Sequence, residues 1–162
     1  MFTVGEIIDL AIRIEKNGEK VYRKAAEEVS DPSLSALLEW LADEELEHEK
    51  WFLRLREEEK TEEKIPQFED MGKEILRGVL GDQAFSMNDA DFSHIDELND
   101  LLSLSLEFEK DTILFYEMLG DFIDDEDTNR QLAKIIEEEQ RHVEHLEGFL
   151  KKGKVPERDG AP

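Results

Sequence analysis

Cysteine is absent from this 162-residue chain. That excludes disulfides, thiolate catalysis, cysteine-held zinc and iron–sulfur clusters. Proline is scarce: Pro32, Pro66, Pro156 and Pro162 all fall outside the segments of helical periodicity. β-Branched alternation is missing, so little or no sheet is expected. No apolar run is long enough to span a membrane. Nor is there a signal-peptide pattern, since Met1 to Glu6 lead straight into a periodic segment. A soluble cytoplasmic protein is the expectation. Positive charge is also in short supply, with 20 Lys and Arg against 43 Asp and Glu and a net charge of −23. Such a surface suits neither nucleic acid nor anionic membrane. Runs such as Glu57–Glu58–Glu59 read as solvated helix exterior, and cations should accumulate near the protein.

What is present is a repeat. Two Glu-x-x-His pairs, Glu45/His48 and Glu139/His142, stand 94 positions apart. The same offset carries Glu15 onto Glu109, Tyr22 onto Tyr116, Lys16 onto Lys110 and Glu44 onto Glu138. The chain reads as one helix pair used twice. Each half offers a Glu from its first helix and a Glu plus a His from its second.

In so acidic a chain one Glu-x-x-His carries little weight. The positions of these residues on their helices change that. Apolar residues at spacings of three and four mark the buried stripe of a bundle helix. The four stripes run through Val4, Ile8, Ala11, Glu15, Gly18 and Tyr22; Leu34, Leu38, Leu41, Glu45, His48 and Phe52; Leu98, Leu102, Ser105, Glu109, Thr112 and Tyr116; and Leu132, Ile135, Glu139, His142 and Leu146. Glu and His thus interrupt each apolar seam at one level. A buried, unpaired carboxylate takes a proton or finds a cation. The seams hold no Lys or Arg. The alternatives are protonated glutamates or bound cations, and two divalent ions would balance four carboxylates. Small residues (Ala11, Gly18, Ser105, Thr112) leave room beside the single glutamates. A Glu and a His three apart lie about one turn from each other, roughly 5 Å along the axis, and can bind one ion. Oxygen and nitrogen donors without sulfur suit iron first and manganese second.

One domain is expected over residues 1–152, with a mobile tail at 153–162. The first helix should run from about Thr3 to Val29, with Thr3 and Glu6 as a capping box. Ser30–Asp31–Pro32 should turn the chain into an antiparallel second helix ending near Glu59. The third should run from about Ile95 to Phe122, and the fourth should follow a turn at Asp124–Asp127 and end before Gly153. Between the pairs lies a crossover at about 60–94, with a short helix near Asp70–Leu80. The third helix is apolar beyond its seam, for example at Leu101, Leu104, Phe108, Leu114 and Met118. Cover by the crossover or by a second copy in a homodimer would satisfy it.

Several other residues bear on the site. Glu44 and Glu138 each precede a seam glutamate, and a metal-bound His commonly donates its other N–H to a carboxylate. The pairings expected are Glu44 with His142 and Glu138 with His48; otherwise both are solvated. Tyr22 and Tyr116 could bond a ligand carboxylate or act in redox chemistry, or simply pack. His94 and His145 read as surface residues, and Trp40 and Trp51 as packing.

The stretches "AIRIEKNGEKVY", "LADEELEHEKWF", "LEFEKDTILFY" and "IIEEEQRH" resemble the four ligand helices of the rubrerythrin-like branch of the ferritin-like superfamily. The resemblance covers roughly residues 3–150. It implies an all-α ferritin-like four-helix bundle, two antiparallel pairs joined by a long crossover with an internal pseudo-twofold repeat. It implies that Glu15, Glu45, His48, Glu109, Glu139 and His142 bind two iron ions, with Glu45 and Glu139 bridging. It also implies an oxidoreductase acting on peroxide or dioxygen with an external electron-donor protein; a ferroxidase taking ferrous iron, or an iron-binding or storage protein, are the alternatives. Two departures stand out. The chain has no rubredoxin-type Cys₄ iron site, and Thr112 stands where rubrerythrins carry a further glutamate.

Overall fold

The structure, a computed structural model, describes residues 2–59, 64–65 and 95–153. Four long helices make up most of it: α1 (Val4–Glu28), α2 (Pro32–Glu58), α3 (Ile95–Gly120) and α4 (Glu126–Gly153). Two short strands, β1 (Phe2–Thr3) and β2 (Lys64–Ile65), pair antiparallel. The protein is an all-α four-helix bundle. The expected crossover, apart from β2, and the tail beyond Gly153 lie outside the described residues.

The helix starts follow local chemistry. Thr3 Oγ1 accepts from the Glu6 amide at 3.1 Å, and Glu6 accepts from the Thr3 amide at 2.8 Å, closing the capping box. Asp31 caps α2 through the amides of Ser33 and Leu34, with Pro32 in the first turn. At the next turn the boundaries differ from the sequence expectation. α3 stops at Gly120, and the chain tightens through bonds from the amides of Asp121, Phe122 and Ile123 to carbonyls three residues back. Asp125 then accepts from the amide and the hydroxyl of Thr128. α4 therefore begins at Glu126, inside the stretch expected to be turn. The Asp125–x–x–Thr128 cap starts the helix within the stretch that the acidic run Asp124–Asp127 had marked as turn.

α1 and α2 lie antiparallel, joined by three residues. Ion pairs mark their register: Asp9–Arg56 at 2.9 Å, Lys16–Glu49 at 3.7 Å and Arg23–Asp43 at 3.1 Å. Each exposed pair is worth about 1 kcal/mol or less, so they report alignment more than stability. Packing contributes more. One apolar cluster gathers Tyr22, Ala25, Leu34, Leu38, Leu41, Leu101, Leu102 and Leu146. A second gathers Ile7, Ile8, Ile14, Phe52, Phe115, Tyr116, Leu119 and Leu132. Each fully buried large side chain contributes roughly 1.5–3 kcal/mol. The two clusters occupy opposite ends of the bundle, and a polar layer lies between them. On α3, Leu104, Leu106, Phe108 and Met118 pack against these clusters, while Leu114 stays 52% exposed.

Candidate metal centre

The polar layer consists of Glu15 on α1, Glu45 and His48 on α2, Glu109 on α3, and Glu139 and His142 on α4. All six are between 0% and 3% exposed. They are brought together because each replaces an apolar residue on its own seam. Their ligand atoms form two groups whose members lie within 4.8 Å of one another: Glu15, Glu45, His48 and Glu139; and Glu45, Glu109, Glu139 and His142. Glu45 and Glu139 belong to both.

Both imidazoles turn Nδ1 inward. His48 Nδ1 is 3.0 Å from Glu139 Oε1 and 3.6 Å from Glu15 Oε2. His142 Nδ1 is 2.8 Å from Glu139 Oε2 and 3.5 Å from both Glu45 Oε1 and Glu109 Oε1. Yet these atoms do not form directed hydrogen bonds. Among the described residues, nine of the ten buried side-chain atoms lacking a hydrogen-bond partner sit on these six residues; the tenth is Ser105 Oγ. Atoms that converge without bonding one another fit a shared cation better than a hydrogen-bond network.

Without a cation the layer is electrostatically strained. Burial, then the charges of Glu15, Glu139 and Glu109, push Glu45 well above the usual carboxylate range. Burial and Glu139 lift Glu109 to about 7 against the pull of His142. Burial alone would lower His48, but Glu15 and Glu139 outweigh it and raise the imidazole to about 12. His142 rises likewise, with Glu109 foremost against burial. Burial and Glu15 push Glu139 up, yet its contacts with His142 and His48 prevail and hold it low. The metal-free layer thus retains protons that a cation would displace.

Two tyrosines tie the halves together crosswise. Tyr22 on α1 donates to Glu109 Oε1 on α3 at 2.5 Å, and Tyr116 on α3 donates to Glu15 Oε1 on α1. Each phenol therefore serves the opposite half's carboxylate, a pairing that spacing within one helix cannot reveal. Burial, followed by Glu109 for Tyr22 and Glu15 for Tyr116, raises both phenols and keeps their protons on.

The surroundings of the two imidazoles differ. His48 Nε2 is 2.8 Å from Glu138 Oε2. The mirror contact expected between Glu44 and His142 does not form: His142 Nε2 has no hydrogen-bond partner. Trp40 instead stands edge-on to the His142 ring, with centroids 5.4 Å apart, and also contacts His145 at 5.1 Å. Trp40 has no sequence counterpart at the 94-residue offset, where Lys134 stands, so the repeat could not reveal it. Glu44 gathers instead with His48 and Glu138. Gly18 has a specific role as well: a Cβ there would come within 2.8 Å of Glu45 Oε2. The space it leaves is filled by the carboxylate. Thr112 donates to the Phe108 carbonyl at 2.8 Å, so its hydroxyl is engaged with its own helix.

A family model described as Rubrerythrin matches residues 6–78. With the bundle and its buried Glu/His layer, that match decides the family likeness. Over those residues the chain is similar to rubrerythrin, and its fold is similar to that of a ferritin-like protein. No curated protein matches it. Among solved structures it is similar to a Thermotoga maritima protein described as a candidate ferritin-like diiron-carboxylate protein. That pair shares 22% identity and a TM-score of 0.72, covering 94% of this chain and 97% of that one. It is also similar to a hypothetical protein from Pyrococcus furiosus, at 17% identity and a TM-score of 0.74, covering 94% of this chain and 90% of that one. At such identities the likeness shows the fold. Within this rubrerythrin-like bundle, the buried carboxylate–histidine layer supports metal binding. No helix among the described residues is long and apolar enough to cross a membrane.

Proposed function

We propose that this protein is a di-iron carboxylate oxidoreductase that reduces peroxide or dioxygen with electrons from a separate donor protein. The observation that carries this reading is the set of nine unpaired buried donor atoms on six residues. Glu45 and Glu139 would bridge two ions. Glu15 and His48 complete one site, and Glu109 and His142 complete the other. Two divalent ions match four carboxylates in charge, and a sulfur-free donor set suits iron, with manganese second. Bound there, a pair of irons supplies electrons to a small oxidant.

The chain's own residues set the conditions. The apolar clusters above and below the layer exclude bulky substrates and bulk water. Tyr22 and Tyr116 fix the two single carboxylates and hold protons beside them. Glu138 orients His48. With no cysteine in the chain, iron–sulfur or rubredoxin-type electron delivery falls to a separate protein. A second reading, ferroxidase, draws support from Thr112, which offers no additional carboxylate after Glu109.

Anaerobic reduction of the iron-loaded protein, followed by stopped-flow mixing, tests the proposal. Rapid oxidation by stoichiometric peroxide, with donor-dependent turnover, is the expected result. Turnover of excess ferrous iron without a donor would favour the ferroxidase. A protein purified without chelator that holds no metal and takes up none would overturn both readings.

A further inference from the structure

Beyond the six inner residues, a third group converges: Glu44 on α2, Glu138 on α4 and the outer edge of His48. Their ligand atoms lie within 4.8 Å of one another. His48 is 3% exposed, whereas Glu44 and Glu138 are half-buried and reach solvent, the Glu138 side chain being 34% exposed. Among the described residues neither carboxylate is paired with a Lys or Arg. An orienting role for Glu138 on His48 accounts for one of the two carboxylates. It leaves unexplained why Glu44 is held in the same place, where like charges repel. Each outer glutamate is also the residue immediately before a shared inner glutamate. His48 is the wall between the two places, with Nδ1 facing the buried layer and Nε2 facing the outer pair.

We propose that Glu44, Glu138 and His48 form an outer site for a divalent cation, through which ferrous ion is taken up into the buried centre. This rests on the di-iron reading and extends it. The neutral ring can carry its proton on either nitrogen. With the inner site empty, an ion arriving between the two outer carboxylates displaces the proton of Nε2 to solvent and takes its lone pair, while Nδ1 keeps its own proton. When the ion moves inward, Nδ1 gives up its proton and binds it. Nε2 takes a proton and donates it to Glu138, so the outer site loses its nitrogen ligand. In that inward move one proton leaves Nδ1 and one arrives at Nε2, so the single proton shed when the ion first arrived is the net release. The outer site therefore binds best while the inner one is vacant and releases as it fills. The six inner residues are closed to solvent, whereas Glu44 and Glu138 reach it, so the outer site lies between solution and the centre.

The test uses the metal-free full chain, anaerobic ferrous ion, and Glu44→Gln beside Glu47→Gln. Glu47 is exposed on the same helix, so its loss removes the same charge away from the site. Two readouts are taken: ions bound per chain at equilibrium, and the rate at which they bind. Expected are unchanged equilibrium content in both variants, and uptake slowed about tenfold in Glu44→Gln alone, the scale on which local charge raises ion arrival. Equal rates in Glu44→Gln and the unaltered protein would overturn the outer site. So would equal slowing in both variants, which is general charge attraction, or loss of equilibrium content in Glu44→Gln, which would place Glu44 inside the centre. If the unaltered protein binds no ferrous ion, the di-iron reading itself has failed, a result distinct from these three.

Discussion

The two halves of the bundle present the same buried Glu and His residues and surround them differently. In the α1–α2 half, His48 has a carboxylate, Glu138, on its outer nitrogen. In the α3–α4 half, His142 has the edge of Trp40 and no hydrogen bond at Nε2. Gly18 makes room for Glu45; its counterpart Thr112 binds its own helix. Ala11 is matched by Ser105, whose buried hydroxyl has no partner. Around the layer, the tyrosine–glutamate pairs do repeat in both directions. A carboxylate behind an imidazole raises its basicity and its strength as a ligand. The repeat thus preserves the six inner residues while letting the layer behind them diverge. Two sites of equal composition should then bind unequally.

The largest effects should come from the residues that the halves share. Glu139→Ala or Glu45→Ala removes a donor from both groups and should abolish most metal binding. Glu109→Ala touches one group and should spare about one ion, and Glu57→Ala on the exposed face of α2 should change nothing. Metal analysis of the four variants decides; Glu139→Ala retaining as much metal as Glu57→Ala would remove the shared-ligand assignment. Gly18→Ala comes next. Its Cβ would displace the Glu45 carboxylate, with a loss of affinity of about tenfold, the scale of a disturbed outer contact. Alanine is the better helix former by about 1 kcal/mol, so the metal-free protein should melt no lower than the parent. Reduced metal affinity without reduced metal-free stability is the signature.

The bundle and its polar layer were legible in the sequence because a seam position cannot hold Glu or His without a physical reason. The 94-residue offset located all six residues from spacing alone. The layer behind them was only partly legible. Glu138 reaches His48, as adjacency to Glu139 suggested. Glu44 does not mirror it, because Trp40 occupies the His142 side and the offset supplies no equivalent aromatic. The crosswise tyrosine pairs depend on how the halves pack, which no single helix encodes. The start of α4 was misplaced because the Asp125 cap begins the helix at Glu126, inside the acidic stretch Asp124–Asp127 that reads as turn.

A sharper probe of the difference between the halves is Glu138→Gln against Trp40→Phe. The first should weaken the His48-side ion by about tenfold or more; the second keeps an aromatic edge beside His142 and should cost less. Equal losses in calorimetric titration would show that the two backings are equivalent. Acidity gives an independent handle. In the metal-free protein, Glu109 titrates at about 7 and His48 at about 12, both above their ordinary values. Glu109 therefore contributes stability that falls as pH rises from its unfolded value through about 7. The contribution of His48 is full below its unfolded value and falls as pH rises toward about 12. Metal displaces these protons, so the rise in melting temperature on adding manganous ion should grow between pH 6 and pH 8, a window of about two units chosen to bracket Glu109. A metal-induced rise independent of pH would contradict proton-for-cation exchange.

The smallest expected effect, and the one most specific to this chain, concerns Thr112. It occupies the seam one turn beyond Glu109 and is 1% exposed, but its hydroxyl is spent on the Phe108 carbonyl. Gly18, at the corresponding place in the other half, offers no side chain at all. Neither of these two positions therefore supplies an additional anion to the layer. Thr112→Glu places a carboxylate on the seam, where bound metal would compensate its charge and the metal-free protein would have to protonate it. Two linked outcomes follow. The metal-free variant should melt lower than the parent, and the metal-loaded variant should recover most of that loss. At equal metal content, peroxide should oxidise the reduced variant faster than it oxidises the reduced parent. If peroxide reacts with both at one rate while the metal-loaded variant is fully restored in stability, the carboxylate has reached the metals without aiding the reaction. The difference between Thr112 and a glutamate would then matter for binding and not for peroxide chemistry.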